Sequence, residues 1–262
     1  MSFPTDQFGP GVQYGTVERT ERLTPHMVRI VFGGPGLSGF ESSGFSDEYV
    51  KIDFPVDGLD RPASRRYSIR RWDPVAREAT IDFVVHGDVG VTGRWADSAQ
   101  PGDLLRMSGP SGSYRPDPDS SWYLMAGDES ALPAIAASLE AVPPGRPVLA
   151  VLLVDDDDHE LPLDSPGELE LTWVHRSDHA DPSLAFLAAV ESLAFPTGTV
   201  SAFVHGEAAE TRAVRRHLLA DRAMDRDAMS VSPYWRRGQT DEAWRQVKRD
   251  WMAAVEHDVP GA

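Results

Sequence analysis

Residues 65–72, with the sequence RRYSIRRW, bring an aromatic ring, a hydroxyl and several guanidinium groups together in one short stretch. Because side chains alternate along a β-strand, Arg65 and Tyr67 are expected on one face and Ser68 on the other. A flat ring beside hydroxyl and guanidinium groups suits a flavin, whose ring can stack and whose ribityl-pyrophosphate tail needs hydrogen-bond donors. A solvated edge strand that resists aggregation has the same composition. This segment alone leaves both interpretations open.

A glycine-rich turn follows the next apolar strand. Residues 81–86 predict that strand, which ends at His86, and residues 90–95 contain the turn. Glycines let backbone N–H groups approach a pyrophosphate, and a helix beginning near Thr92 would direct its positive end toward one. A hairpin connection has a similar composition, and an isolated histidine is more often structural than catalytic. The turn therefore indicates a phosphate site only together with its neighbours.

A third segment, AGDESALPAI at residues 126–135, lies where an α/β domain would have its first strand–helix unit. The motif GxGxxG is absent, so this is not the usual dinucleotide fingerprint. Asp128 and Glu129 precede a helix with Pro133 in its first turn, and acids in that place suit helix capping as well as ligand contact. Arg176 follows a later strand, where it could pair a 2′-phosphate or simply lie at the surface.

Composition excludes several classes of protein. The chain has no cysteine, which excludes disulfides, thiolate metal sites and iron–sulfur clusters and fits a reducing cytoplasm. Its net charge of −16 disfavours nucleic acid and anionic membranes as partners. No apolar run approaches the roughly eighteen residues of a membrane span, and the first six residues do not resemble a secretory signal. The four consecutive carboxylates at residues 155–158 cannot all face one ion, so we predict a solvated acidic loop and no metal site.

The fold must position these segments, and the chain predicts two kinds of architecture in succession. Short strands separated by Gly, Pro and Asp turns fill the first 115 residues and favour a closed antiparallel β-barrel; they are residues 12–19, 27–32, 49–54, 66–72, 80–86 and 104–109. A polar, proline-bearing linker follows at residues 114–120. Strands and helices then alternate, which predicts an α/β domain with a parallel sheet. Its strands are residues 122–126, 147–154, 169–174 and 200–204, and its helices are residues 131–142, 207–219 and a C-terminal helix capped by Thr240.

Six segments in this order resemble the siderophore-interacting proteins, which are FAD-binding ferric-siderophore reductases with a ferredoxin reductase-like fold. They are MVRIVFGGPGL (27–37), DEYVKIDFP (47–55), RRYSIRRWD (65–73), DFVVHGDVGVTGRWADSAQPGD (82–103), AGDESALPAI (126–135) and YWRRGQTDEAW (234–244). Each segment is moderately specific, and the ordered set spans nearly the whole chain. The resemblance implies a FAD-binding β-barrel domain at residues 1–115 and an NAD(P)H-binding-like α/β domain with a C-terminal helix at residues 120–262.

The resemblance places FAD on the barrel. Arg65, Tyr67 and Ser68 match the family pattern Arg-x-Tyr-Ser/Thr, which implies that Tyr67 and Ser68 contact the ring and ribityl and that Arg65 contacts the pyrophosphate. The other implied residues are Phe83, Val85, His86 and Gly87 along the flavin, Gly90, Val91, Thr92, Gly93 and Trp95 at the phosphate turn, and Asp128, Glu129, Ser130 and Ala131 at the flavin's adenosine end or the nicotinamide. Gly93 replaces the family's usual serine, so backbone N–H groups or Thr92 must serve the phosphate.

Iron release sets the remaining expectations. Ferric siderophores hold Fe³⁺ through hard oxygen ligands, reduction to Fe²⁺ releases it, and FAD couples hydride donors to one-electron acceptors. The flavin carries this chemistry, so no catalytic acid–base residue is expected. An anionic chelate needs a local basic cluster in an acidic protein. The resemblance assigns this docking role to Lys51, Arg115, Arg236 and Arg237.

The electron donor stays open at this stage. NADPH or NADH is expected, whereas a ferredoxin would make the chain a protein–protein electron-transfer module. A third possibility is a siderophore-binding protein without redox activity, suggested by the departure at Gly93. We expect a monomer in the cytoplasm.

Overall fold

The computed structural model describes residues 12–56, 62–85 and 90–259, and the chain divides into two units between Arg115 and Pro116. The first unit is a seven-stranded antiparallel sheet in the order β4-β3-β7-β1-β2-β6-β5. Its elements are β1 (Val12–Thr24), β2 (Met27–Gly33), β3 (Tyr49–Phe54), β4 (Ala63–Ser68), β5 (Arg71–Asp73), β6 (Glu78–Val84), the helix α1 (Val91–Ser98) and β7 (Leu104–Ser111).

The sheet closes on itself because its two edge strands, β4 and β5, follow one another in the chain. Only Ile69 and Arg70 separate them. The Ile69 N–H donates to the Glu48 carbonyl at 2.7 Å, and the Arg70 N–H donates to the Thr80 carbonyl at 2.9 Å. The first bond joins the chain to the residue before β3, and the second joins it to β6. They produce the closed barrel that the strand pattern predicts.

One predicted strand is wrong in its extent. Residues 66–72 were expected to form a single strand, but the structure breaks it at Ile69 into β4 and β5. The break follows from the closure, since a chain that leaves one edge for the other cannot keep one pairing partner. By contrast, the predicted strands at residues 49–54 and 147–154 have the same bounds in the structure.

The second unit contains a parallel five-stranded sheet in the order β10-β9-β8-β11-β12. Its strands are β8 (Trp122–Asp128), β9 (Pro147–Val154), β10 (Glu168–His175), β11 (Val200–Glu207) and β12 (Met229–Trp235), and its helices are α2 (Leu132–Glu140), α3 (Pro182–Ser192), α4 (Ala208–Arg216) and α5 (Asp241–Glu256). The order in the sheet runs third, second, first, fourth, fifth, so it reverses between β8 and β11. Ligands of doubly wound folds bind at such a reversal, at the carboxyl ends of the strands.

Apolar packing and capping position the helices of this unit. Phe186 and Val190 of α3 and Val214 of α4 join one cluster with the buried strand residues. Thr240 caps α5 as predicted, since its hydroxyl accepts from the Ala243 N–H at 3.2 Å. The sequence did not predict α3 or β12. Among the residues described, no helix is long and apolar enough to cross a membrane.

A buried histidine lies near the carboxyl end of β11. The His205 ring stacks on Phe203 at a centroid distance of 3.8 Å, and its Nε2 lies 3.0 Å from the Ser230 hydroxyl. Burial, assisted by the positive charge of Lys248, lowers the pKa of His205 to about 3. The ring is therefore neutral in the folded protein at physiological pH.

We predict that His205 makes the protein sensitive to mild acid. Its folded pKa is depressed from 6.5 to about 3, so the unfolded state binds more protons between these values. Stability is thus lost as the pH falls from the unfolded pKa toward the folded one. Urea unfolding at several pH values should show the wild type losing up to about 1.4 kcal/mol more per pH unit than His205→Asn between about pH 6 and pH 4. Equal pH dependence of the unfolding free energy in the wild type and in His205→Asn would contradict this account.

Candidate functional site

The inward face of β4 carries the first part of the candidate site. Tyr67 lies opposite Val50 and Arg65 lies opposite Ile52 in the β3–β4 register, and both partners are core residues. Arg65 and Tyr67 therefore share one face, as the alternation predicts, and both are half-buried. Ser68 ends the strand on the other face, opposite Tyr49.

A cluster of aromatic side chains packs against the Tyr67 ring. Its ring centroid is 4.4 Å from that of Phe83 and 5.9 Å from that of Phe54. Trp95 of α1 packs on the same two rings, at 6.2 Å from Phe83 and 5.5 Å from Phe54. The packing therefore brings the arginine–tyrosine strand and the glycine-rich turn to the same part of the barrel. Phe83 is fully buried, so its side chain supports this surface from within.

The glycine-rich turn begins α1. Gly90 precedes the helix with φ of 91°, which L side chains rarely adopt, and a Cβ at this position would meet no atom within 4 Å. Among the described residues no side chain caps α1, and its first turn carries no acid. Val91 and Thr92 are half-buried and Gly93 is buried. Val85 is buried at the end of β6, whereas His86 and Gly87 lie outside the described residues.

These residues fit FAD. The half-buried Tyr67 ring on its aromatic support suits a flavin ring, and the Arg65 side chain lies on the same face. The start of α1 presents backbone N–H groups that no described side chain caps, and its dipole favours a pyrophosphate. Gly93 is buried within α1 and has no side chain to donate, so a phosphate bound there would depend on backbone donors and on the neighbouring Thr92.

The outward face of β3 and β4 is basic. Lys51 is exposed and lies opposite the exposed Arg66, whose guanidinium stands 5.6 Å from the centre of the Tyr49 ring. Arg106, on the neighbouring strand β7, donates to the Asp53 carboxylate of β3 at 2.7 Å. Lys51 and Arg66 form a pair of exposed cations that we call the barrel basic patch. The sequence did not link them, because the link depends on the β3–β4 register.

The other predicted docking cations have different surroundings. Arg115 is exposed at the end of the first unit. In the second unit, the Arg236 guanidinium lies 5.9 Å from the centre of the Trp244 ring, and Arg237 bonds to Glu210 at 2.8 Å. Arg237 is thus already engaged with a carboxylate that is almost fully buried.

Asp128 connects three strand ends at the carboxyl edge of the parallel sheet. Its Oδ1 accepts from the N–H and hydroxyl of Ser130, at 2.9 and 2.5 Å. Its Oδ2 accepts from the Glu207 N–H at 2.8 Å and from the Trp235 indole N–H at 2.7 Å. Asp128 is only 2% exposed. This carboxylate therefore fixes the ends of β8, β11 and β12 and does not cap α2, whose N-cap residue is Ala131.

Glu129, next in the chain, holds an arginine. The Arg176 guanidinium donates to both oxygens of Glu129, one of them at 2.7 Å, and to Asp155 at 3.1 Å. Burial by itself would lower the pKa of Arg176, but the hydrogen bond to Glu129 and the negative charges of Glu129, Asp128 and Asp155 together outweigh it, and the pKa lies above its ordinary value. Arg176 is therefore a fully charged partner of two carboxylates. We call these three residues the arginine triad.

Two more acids complete this edge. The Glu207 side chain accepts from the Ala209 and Glu210 N–H groups and from the Arg237 N–H. Glu210 bonds to Ser183 and Arg237, and burial raises its pKa, with Asp128 as the second cause. The carboxylates at this edge of the sheet therefore receive most of their hydrogen bonds from groups of the protein itself. The sequence showed no sign of this network, whose members lie far apart in the chain.

The acidic segment behind β9 makes mainly local contacts. Asp156 accepts from the Asp158 N–H at 3.1 Å and lies 2.5 Å from His159 Nδ1. The carboxylates of residues 156–158 lie within 4.8 Å of one another, and Asp157 and Asp158 are exposed. The solvated acidic loop remains our interpretation of this segment.

Comparison with solved structures defines the class of fold. The ferredoxin–NADP⁺ reductase from Plasmodium falciparum superposes with a TM-score of 0.67 over 85% of this chain and 96% of that chain, at 12% identity. At that identity the likeness concerns the fold alone. The predicted fold class, an antiparallel barrel followed by an α/β domain of the ferredoxin reductase type, is confirmed.

Family models identify the group within this fold. A model described as siderophore-interacting FAD-binding domain matches residues 16–63 and 56–114, and one described as siderophore-interacting protein matches residues 120–238. Together they match well over half of the chain. The protein therefore belongs to the siderophore-interacting protein family, which confirms the predicted family.

Similar proteins agree with this assignment. The ferric vibriobactin reductase ViuB of Vibrio cholerae is 33% identical, over 88% of this chain and 91% of its own length. The NADPH-dependent ferric-chelate reductase of Escherichia coli is 32% identical, over 84% and 91%. Among solved structures, the siderophore-interacting protein SipS from Aeromonas hydrophila has a TM-score of 0.82 at 30% identity, over 92% of this chain and 98% of that chain. A siderophore utilization protein from T. fusca has a TM-score of 0.79 at 37% identity, over 88% and 94%.

We predict that the carboxylate of Asp128 is essential to the second unit. An amide at this position offers one acceptor oxygen and an NH₂ group that cannot accept from N–H donors. In urea unfolding, Asp128→Asn should lose about 2 kcal/mol of stability, because buried donors are left without acceptors. The exposed Asp119→Asn is the matched control and should stay within about 0.5 kcal/mol of the wild type. Equal stability of the two variants would refute the structural role of Asp128.

Proposed function

We propose that this protein is a monomeric, cytoplasmic, FAD-dependent reductase that releases iron from ferric siderophores as Fe²⁺, with a nicotinamide dinucleotide as electron donor. One observation carries the proposal. Tyr67 and Trp95 pack on the same two rings, Phe54 and Phe83, so the predicted ring-binding strand adjoins the predicted phosphate turn. The absence of cysteine and the need for a nicotinamide donor support the cytoplasmic location.

The relatives support the substrate and the donor. One is named a ferric vibriobactin reductase and another an NADPH-dependent ferric-chelate reductase. Each covers more than four fifths of this chain, so the likeness extends over both units. The family's FAD-binding domain, matched between residues 16 and 114, supports the cofactor.

The barrel residues would hold FAD as follows. Tyr67 would stack on the flavin ring, and Ser68 and Arg65 would contact the ribityl and the pyrophosphate. Phe83 and Val85 would pack beneath the flavin ring. The family pattern also assigns His86 and Gly87 to the flavin, and these two residues lie outside the described part of the chain. The start of α1, composed of Gly90, Val91, Thr92 and Gly93, would bind the phosphates through backbone N–H groups. Trp95 would hold this turn on the barrel by packing on Phe54 and Phe83. Bound FAD supplies the coupling between hydride donors and one-electron acceptors.

The turn after β8 would receive the nicotinamide. In doubly wound folds this turn lies at the reversal of strand order. Asp128 and Glu129 direct their carboxylates at protein donors, and the Ser130 N–H and hydroxyl both donate to Asp128. Contact with the dinucleotide would therefore come from the Ser130 hydroxyl oxygen as an acceptor and from van der Waals packing on the backbone of residues 128–131. Each nicotinamide provides two electrons, which suffice to reduce two Fe³⁺ ions.

The barrel basic patch would receive the ferric siderophore. Lys51 and Arg66 are exposed side by side on the outward face of β3 and β4. In a chain with a net charge of −16, such a pair provides local attraction for an anionic chelate. Arg115 and Arg236 are further candidates, whereas Arg237 would first have to leave Glu210.

The proposal predicts a yellow protein that cycles between oxidised and reduced flavin. Under anaerobic conditions NADH or NADPH should bleach the flavin bands, and a ferric siderophore should restore them while two Fe²⁺ ions appear per nicotinamide consumed. A colourless preparation that binds a ferric siderophore would favour a carrier without redox activity. A yellow protein bleached only by reduced ferredoxin would favour the protein–protein electron-transfer module.

Variants at Tyr67 test the flavin site itself. Tyr67→Ala removes the stacking ring, so the FAD dissociation constant should rise at least about tenfold, which corresponds to about 1.4 kcal/mol. Tyr67→Phe keeps the ring and should stay close to the wild type. Arg66→Ala, on the opposite face of the same strand, is the matched control. Fluorescence titration of the apoprotein with FAD measures all three, and unchanged affinity in Tyr67→Ala would exclude this site.

We predict that Lys51 acts on charged substrates only. Lys51→Ala should raise the KM for an anionic ferric siderophore about three- to tenfold at low salt, and the effect should shrink as salt screens the charge. Reduction of an electrically neutral ferric chelate and the FAD content should not change.

Two controls accompany the Lys51 experiment. Lys51→Arg keeps the charge and should behave like the wild type. Arg71→Ala removes an exposed cation of β5 that is not part of the barrel basic patch. An equal loss on charged and neutral acceptors would show that Lys51 supports the fold or the cofactor instead of docking the chelate.

A further inference from the structure

The arginine triad bears on the choice between NADH and NADPH. Proteins of doubly wound folds recognise the 2′-phosphate of NADP with an arginine near the strand ends, whereas an acid there bonds to the free ribose hydroxyl of NAD. Arg176 directly follows β10, and Asp155 directly follows β9, the second strand in the order. Both residues thus lie at the edge where the adenosine ribose of a dinucleotide would bind.

Arg176 is not available to a phosphate in this arrangement. Recognition of a phosphate by arginine uses the two parallel N–H groups of the guanidinium fork. Both sides of this fork already donate to Glu129, and one of them also donates to Asp155. The side chains of Arg176 and Glu129 are only 19% and 9% exposed.

Freeing Arg176 would be costly. A phosphate that took the guanidinium would leave the nearly buried Glu129 carboxylate without its cationic partner, and breaking a buried ion pair from one side is strongly unfavourable. The triad also carries two negative charges against one positive charge. A 2′-phosphate brought to this edge would therefore meet net negative charge, whereas an uncharged ribose would not.

We propose that Glu129 and Asp155 make the dinucleotide edge selective for NADH over NADPH, by engaging Arg176 and by presenting Asp155 to an unphosphorylated ribose. This inference rests on the proposed function, because it assumes a nicotinamide donor. It also sets the protein apart from the relative that is named NADPH-dependent. Glu129 acts through Arg176 and is a positioning residue.

The first test measures binding without electron transfer. Titration calorimetry of the FAD-loaded protein compares AMP with 2′-phospho-AMP, which differ by the phosphate alone. The wild type should bind AMP at least about tenfold more tightly, and the double variant Glu129→Gln with Asp155→Asn should shift this ratio toward 2′-phospho-AMP at least about tenfold, as expected when a charged arginine becomes available.

A matched control distinguishes the effect of releasing Arg176 from the effect of removing any nearby negative charge. Asp158→Asn removes one exposed carboxylate of the neighbouring loop, and no contact joins Asp158 to Arg176. It should change the binding ratio less than about threefold, because exposed charges interact weakly through water. A shift as large as that of the double variant would assign the preference to net charge and overturn the role of Arg176.

The second test uses the nicotinamides themselves. Anaerobic bleaching of the flavin should be faster with NADH than with NADPH in the wild type. The double variant should become faster with NADPH and slower with NADH, because Asp155→Asn removes the carboxylate that would accept from the ribose hydroxyl. Preference of the wild type for NADPH or 2′-phospho-AMP would overturn the inference, as would failure of both nucleotides to bind. If the dithionite-reduced protein still reduced a ferric siderophore in that last case, the reductase function would stand without a nicotinamide donor.

Discussion

The carboxylate of Asp128 is the constraint on which the carboxyl edge of the second unit depends. A charge buried this deeply must be satisfied by hydrogen bonds, and its donors come from three separate segments. Gly206 is required beside it: its φ is 143°, and a Cβ there would lie 2.8 Å from the Asp128 carboxylate carbon. Gly127 is required one residue earlier, since a Cβ would lie 2.4 Å from the His205 carbonyl oxygen. Two glycines on different strands thus allow the Asp128 carboxylate and the backbone of β11 to approach closely.

The two units differ in the groups that they would present to an anion. The barrel offers backbone N–H groups at the start of α1 and exposed cations at Lys51 and Arg66. The sheet edge instead engages Arg176 and Arg237 with protein carboxylates. A chain with a net charge of −16 repels anions in general, so attraction is confined to the sites that keep donors facing outward.

The residue pattern was sufficient to predict the bounds of strands whose surroundings do not change along their length. The alternation at residues 49–54 and the apolar run at residues 147–154 predicted β3 and β9 with their correct bounds. The residue pattern failed where tertiary structure sets the end of a strand. At Ile69, barrel closure divides one apparent strand into two. β12 (Met229–Trp235) mixes serines with apolar residues and a proline, so it lacks the unbroken apolar run of a buried strand. The Asp128–Trp235 bond spans 107 positions, and the pairing of Lys51 with Arg66 depends on register, so no local pattern reveals either.

Barrel closure and the proposed flavin site involve the same strand. β4 is an edge strand that pairs with β3, and the two residues after it complete the barrel through bonds to Glu48 and Thr80. Tyr67 lies one residue before the end of that strand, and its ring packs on Phe83 of β6. A ligand stacked on Tyr67 would therefore hold the edge strand against the opposite side of the barrel. Because a ligand that binds only the folded state stabilises it by mass action, FAD would strengthen the barrel at its point of closure.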